Sequence, residues 1–211
     1  MCLVGTSTGI GPLMAQPDIN PEGNPDGKGL VPVMDALNAL RPWAAAPKAP
    51  ETILRDFCLS TLVLSARFDF RVVPNKTYYL YRAADGWRLS LISPSEWGKR
   101  CPGPFIAEAT LATDMTWDMQ LSSELGNDPA LVDELSQHLQ GFLARLSVAE
   151  TLEDALPTYE ACLPYQQRMM ATALSSSLQT SLLLSGLAGQ SGQVWLKHDG
   201  LRRLLSLASD N

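Results

Sequence analysis

The sequence holds few of the residues from which catalytic and metal centres are usually built. Its 211 residues include only two histidines, His138 and His198, and four cysteines, Cys2, Cys58, Cys101 and Cys162. No two cysteines are close enough for a C-x-x-C pair, so neither a zinc ribbon nor a dithiol redox motif is expected. The histidines lie far apart, and a metal site built on them is not expected either. No metal, cofactor or catalytic constellation is therefore assigned.

Charge is scarce as well. Lys, Arg, Asp and Glu make up 18% of the chain, with a net charge of −6 and a pI near 4.9. An acidic chain repels phosphate, which argues against sequence-independent nucleic-acid binding. Long apolar runs are missing too. Residues 169–186 carry no charge, but eight of them are Ser, Thr or Gln. A membrane span needs about 20 mostly apolar residues. The opening MCLVGTSTGIGPLMAQ has neither a basic n-region nor a long apolar h-region. The expectation is a cytoplasmic protein with no membrane association.

What is present is a core's worth of apolar residues, 45% of the chain. Acids are concentrated in one part: residues 111–165 hold ten acids and a single base, Arg145. Residues 1–29 are rich in Gly, Pro, Asn and Asp and read as a flexible tail. Their GTSTGIG stretch is followed by no GK[ST] and preceded by no strand, so it is no phosphate loop. Residues 30–41 read as a short helix or docking segment with Val33, Leu37 and Leu40 on one face. Three prolines then interrupt the chain.

Glu51 to Ala66 reads as the first firm helix, with Leu54, Phe57, Cys58, Leu62 and Ser65 as its buried stripe. The period then falls from 3.6 to 2. FDFRVV (68–73), TYYLYRA (77–83), WRLSLI (87–92) and the region 105–111 read as four strands. PNK (74–76) turns between the first two, and Asp85-Gly86 is a hairpin signal. Ser93-Pro94 with Glu96 is a capping-box pattern with proline at the first helical position. Helices follow at 129–147 and 165–184, the second with Met170, Leu174, Leu178 and Leu182 at four-residue spacing. A short amphipathic helix at 201–208 closes the chain. The fold expected is α+β: an antiparallel meander of about four strands within 68–111, one helix before it and two or three after. The units expected are the tail 1–29, a core domain 30–165, and a helical extension 166–211 packed on that core.

The run YYLYRAADGWRLSLISPSEWG (78–98) sets basic and aromatic side chains side by side. Tyr79, Tyr81 and Trp97 lie near Arg82, Arg88, Lys99 and Arg100. On a sheet face such groups can stack on a ligand or hold an acidic peptide. Tyr78, Leu80, Leu89 and Leu91 are expected in the core, which leaves Tyr79, Tyr81, Arg82 and Arg88 as residues whose purpose the fold alone does not explain. Cys101 lies between Arg100 and Pro102, and nearby bases can lower a thiol pKa. Asp114 and Asp118 form a carboxylate pair near Trp117.

The run from Tyr78 through SP-x-EWG (93–98) and Cys101-Pro102 to Asp114-x-Thr116-Trp117 resembles the centre of a family of domains of unknown function. That family is shared by bacteria and a small animal protein known by a chromosome-one open reading frame. The segment NPDGKGLVPVMDAL also resembles the start of bacterial members. The resemblance implies one folded, intracellular unit and carries no activity with it.

Two readings of function follow. The first is a non-enzymatic protein-interaction module whose partner face includes Tyr79, Tyr81, Arg82 and Arg88, with an unidentified protein as partner. The second is a small-ligand binder or enzyme with a site near Trp97 and Trp117, gathering Tyr81, Glu96, Cys101, Asp114 and Trp117. A homodimer through residues 165–184 or the final helix is a further expectation.

Overall fold

The computed structural model describes residues 35, 37, 39–158 and 163–197. The tail 1–29, the glycine-rich stretch at 5–11, Cys2, Cys162, His198 and the helix expected at 201–208 lie outside them. Of the segment 30–41, Asp35, Leu37 and Ala39 are helical and Leu40 is buried.

Helix α1 spans Pro50–Ser65. Proline at its first turn supplies a fitting φ and needs no N–H there, and Glu51 suits the positive end of the helix dipole. Its buried surface runs nearly all round: Ile53, Leu54, Phe57, Cys58, Leu62, Val63 and Leu64 are all covered. A helix that is apolar on most sides is a central one. It lies between the sheet on one side and the later helices on the other. Ser65, expected in the stripe, is exposed.

Four strands form one antiparallel sheet in the order β2-β1-β3-β4: β1 Thr77–Ala83, β2 Gly86–Ser90, β3 Phe105–Leu111 and β4 Trp117–Leu121. The fold class is α+β as expected, with one helix ahead of the sheet and helices after it. The strand set differs in one respect. FDFRVV is not a strand; only Arg67, just ahead of it, bridges to Arg88. Alternation shows which residues could share a face, but a strand also needs a partner edge, and β3 occupies the free edge of β1. The fourth strand is WDMQL instead, at the opposite edge.

The β1–β2 hairpin turns at Ala84-Asp85, and Gly86 takes the positive φ of +129°. After β2 the chain crosses the end of β1 through the short helix α2, Pro94–Trp97, and a 3-10 turn, Gly98–Arg100. Gly103 makes that crossing close. A Cβ there would lie 2.0 Å from the Arg82 carbonyl oxygen.

Two long helices, α3 Pro129–Val148 and α4 Tyr165–Leu184, pack on α1. The Asp128 carboxylate accepts from the N–H groups of Ala130 and Leu131 and caps α3. The Met170, Leu174, Leu178 and Leu182 stripe of α4 is buried in the common core. That stripe is therefore not a free face for a second copy. A last short helix, α5 Gly192–Trp195, packs on α3 with Trp195 fully buried.

Candidate functional site

The sheet has one dry and one wet face. Tyr78, Leu80, Leu89, Ala107, Ala109 and Trp117 belong to the dry face and the main core. Tyr79, Tyr81, Arg88, Phe105 and Glu108 belong to the other face, as the cross-strand pairs require.

The outer residues gather in one place. A register shift between Leu80 and Tyr81 opposes Tyr81 to Phe105, their rings 5.6 Å apart. The α2 crossover then folds over Tyr81, with Trp97 edge-on at 6.3 Å and Tyr79 beside Phe105 at 6.3 Å. Tyr81 is thereby fully buried, and its hydroxyl donates to the Ile92 carbonyl at 2.9 Å. Burial pushes its phenol well above the usual range. This group is a small second core under the crossover.

Glu96 is occupied in holding the crossover. Its carboxylate accepts from the Ser93 hydroxyl at 2.7 Å and the Ser93 N–H at 2.9 Å, and these bonds lower its pKa. Cys101 is exposed, its thiol donating to the Gly103 carbonyl. Arg82 and Arg88 point to opposite faces. Arg82 Nε donates to Glu134 of α3, at 2.7 and 2.8 Å, and its guanidinium lies 5.6 Å from the Trp87 ring. Arg88 is exposed beside the Arg67–Asp85 ion pair, at a hollow that also touches Leu91, Ile92 and Trp97. Leu91, expected in the core, is exposed.

Trp117 lies elsewhere. It opposes Leu111 at the far end of β3, while Trp97 covers Tyr81 near Phe105 at the near end. Six residues of strand separate those ends, about 20 Å at roughly 3.3 Å per residue. Trp117 packs edge-on against Tyr78 on the dry face. The two tryptophans share no pocket, and Asp114 and Trp117 do not converge with Tyr81, Glu96 and Cys101.

Asp114 belongs to a different cluster, centred on Lys48. Lys48 Nζ lies 2.6 Å from Asp56 Oδ2 and 2.6 Å from Asp114 Oδ2. Asp114 Oδ1 accepts from the Thr116 hydroxyl at 2.7 Å and its N–H at 3.2 Å. On the adjacent turn of α1, Ser60 Oγ donates to the Asp56 carbonyl and accepts from Trp117 N–H at 3.1 Å. Burial pushes the Asp114 carboxyl upward, but Lys48 and Thr116 outweigh it and hold the group below the usual range. Burial likewise lowers Lys48, and its two carboxylates outweigh that and raise it. A lysine held protonated is no nucleophile, and both carboxylates are engaged. The cluster is a tie between the chain ahead of α1, α1 itself and the β3–β4 hairpin. Lys48, Asp56 and Ser60 were not singled out in the sequence. The one signal was polar side chains, Asp56 and Ser60, set within the most apolar helix.

Two further openings lie along the groove between α1 and α3. His138 Nε2 comes within 3.4 Å of Thr61 Oγ1 and divides that groove in two. On one side is a cleft of about 120 Å³ between α1, β4 and the first half of α3. Leu59, Leu62, Met119, Leu121, Leu135 and Leu139 line it, with few polar atoms. On the other side is a larger hollow of about 690 Å³ between α1, the second half of α3 and the chain beyond it. Among the described residues, no cluster of His, Cys, Asp and Glu is grouped to hold a metal ion.

An α+β domain with one open sheet face, a central apolar helix and an apolar groove is the class these features define. Residues 46–137 match the model of a family described as Protein of unknown function (DUF2452). The resemblance carried by the SP-x-EWG and D-x-[ST]-W residues is thus borne out. The matched span holds the whole Lys48–Asp56–Asp114 cluster, all four strands and most of the lining of the α1–β4–α3 cleft. No solved structure matches the chain. Among the described residues, no helix is long and apolar enough to cross a membrane.

Proposed function

We propose that the protein is a non-enzymatic interaction module that takes a basic, amphipathic segment of a protein partner in the cleft between α1, β4 and α3. The observation that carries this reading is the pairing of an apolar cleft with an acidic surround. The cleft's volume, about 120 Å³, matches one or two apolar side chains. For comparison, an apolar cavity of about 150 Å³ takes benzene. The chain that builds its mouth bears Glu124, Asp128 and Asp133, and no Lys or Arg between 119 and 134. A partner with Leu or Phe anchors flanked by Lys or Arg complements both features. The edge strand β4, with Leu121 exposed, lies beside it. The chemistry-bearing groups support the non-enzymatic part: Asp56, Asp114, Glu96 and Arg82 are each engaged in holding the fold.

A cytoplasmic setting is part of the same reading. Cys58 and Cys101 are both free thiols, as is usual in a reducing compartment. A homodimer, if one forms, needs a face other than the buried stripe of α4.

The test is photocrosslinking in native lysate from benzoyl-phenylalanine placed at Ser136, in the cleft, and at Thr110, on the wet sheet face. Crosslinked peptides are then sequenced. Basic, apolar segments captured from Ser136 alone, and lost at high salt, are the expected result. Acidic segments, or the same set from both positions, would refute the reading.

A further inference from the structure

The larger hollow has a composition that the cleft lacks. Its walls are Phe57, Leu64, Phe142, Leu146, Leu156 and Leu163, and its volume of about 690 Å³ falls within the range of small-molecule sites. Its polar side chains are Thr61, Ser65, His138, Arg145 and Asp154. Thr61 and His138 lie on the side facing the cleft, and Arg145 and Asp154 also line it. Arg145 is the one base among residues 111–165, and no ion pair with a described residue holds it. Asp154, the acid at the same hollow, is already engaged: it accepts from the Thr151 N–H at 3.0 Å and hydroxyl at 2.8 Å.

His138, Phe142 and Arg145 follow one another along a single face of α3. Side chains on a helix lean toward its N-terminus, so the Arg145 guanidinium leans toward Phe142 and His138. A guanidinium paired with no described residue, above an apolar hollow, suits one negative charge carried on an apolar body. Di- and trianions such as nucleotides fit poorly, because a single base faces them in the most acidic part of the chain.

We propose that this hollow binds a small amphipathic monocarboxylate, its head group on Arg145 beside His138 and Thr61, and its chain among Phe57, Phe142, Leu146 and Leu156. The site is distinct from the protein-docking cleft and does not rest on it.

The test uses the whole protein with decanoate, decanol and acetate, each below self-association, in isothermal titration. Saturable one-to-one decanoate binding is expected, with decanol about tenfold weaker and acetate not binding. Arg145→Gln should lower decanoate affinity to the decanol level and leave decanol unchanged. In the unaltered protein, nuclear Overhauser contacts should join decanoate methylenes to the Phe142 ring. Absence of saturable decanoate binding, equal binding of acid and alcohol, an unchanged Arg145→Gln, or no contact to Phe142 at saturation would each overturn the assignment.

Discussion

Lys48 Nζ lies 2.6 Å from Asp114 Oδ2, joining the chain ahead of α1 to the tip of the β3–β4 hairpin. The contact spans 66 positions and is nearly buried, with side-chain exposures of 17% and 11%. Asp56 shares the same ammonium. Removing one partner of a buried ion cluster leaves uncompensated charge, which costs more than the intact cluster contributes. Lys48→Met should therefore destabilise the fold by about 3 kcal/mol. Adding Asp56→Asn and Asp114→Asn to it should recover much of that loss. Urea unfolding of the single and triple variants checks the order; a triple variant weaker than the single one contradicts it.

Acid should weaken the fold in two windows. His138 is lowered from its usual value by burial and by the Arg145 charge. Its neutral form is the one that folds, so its contribution is complete above about pH 6.5 and is lost as pH falls toward the folded value. Asp114 is depressed, so its contribution is complete above the unfolded value near 3.8 and is lost as pH falls through the folded one. His138→Gln should erase the first decline and Asp114→Asn the second. Thermal melts from pH 3 to 8 read both.

Burial pushes the Cys58 thiol up to about 12, and its side chain is covered by α1's neighbours. The thiolate is the reactive form, so Cys58 should stay unlabelled in the folded protein. Cys101 is exposed. Iodoacetamide at pH 8 with peptide mapping should modify Cys101 within minutes and Cys58 only after denaturation. Labelling of both at equal rates would show that the α1–α3 groove opens readily.

Two glycines should respond in opposite directions. A Cβ at Gly103 would lie 2.0 Å from the Arg82 carbonyl oxygen, so Gly103→Ala must push the crossover off β1. A loss of about 2 kcal/mol is expected, as for overpacked sites. Gly141 lies inside α3 with nothing within 4 Å of its Cβ position. Gly141→Ala should raise stability by about 0.5–1 kcal/mol through helix propensity. Paired melting curves separate the two.

Local signals were legible where the structure they specify is local. The Asp85-Gly86 hairpin depends on one glycine at positive φ. The α2 turn depends on Ser93 and Glu96 three residues apart. The Pro129–Val148 and Tyr165–Leu184 helices follow from period and proline placement within their own spans. Each is decided by contacts between neighbours in sequence.

The remainder depended on partners distant in sequence. FDFRVV alternates like a strand but does not form one: β3 and not 68–73 lies beside β1, and only Arg67 bridges to the outer edge of β2. Tyr81, expected to face outward, is buried by a register shift and by the α2 crossover folding back over it. Trp97 and Trp117, joined in one expected site, are held at opposite ends of β3 and on different faces. Lys48 carries no local pattern at all; its role appears only when α1 and the β3–β4 hairpin bring Asp56 and Asp114 to it. By itself the sequence determined the α+β class, the capped turns, the long helices and the acidic run around Arg145, since these rest on propensity, periodicity and composition. Only the tertiary structure decided which carboxylates are structural and which cations they hold. Both depend on desolvation and on distances of a few ångströms between residues many positions apart.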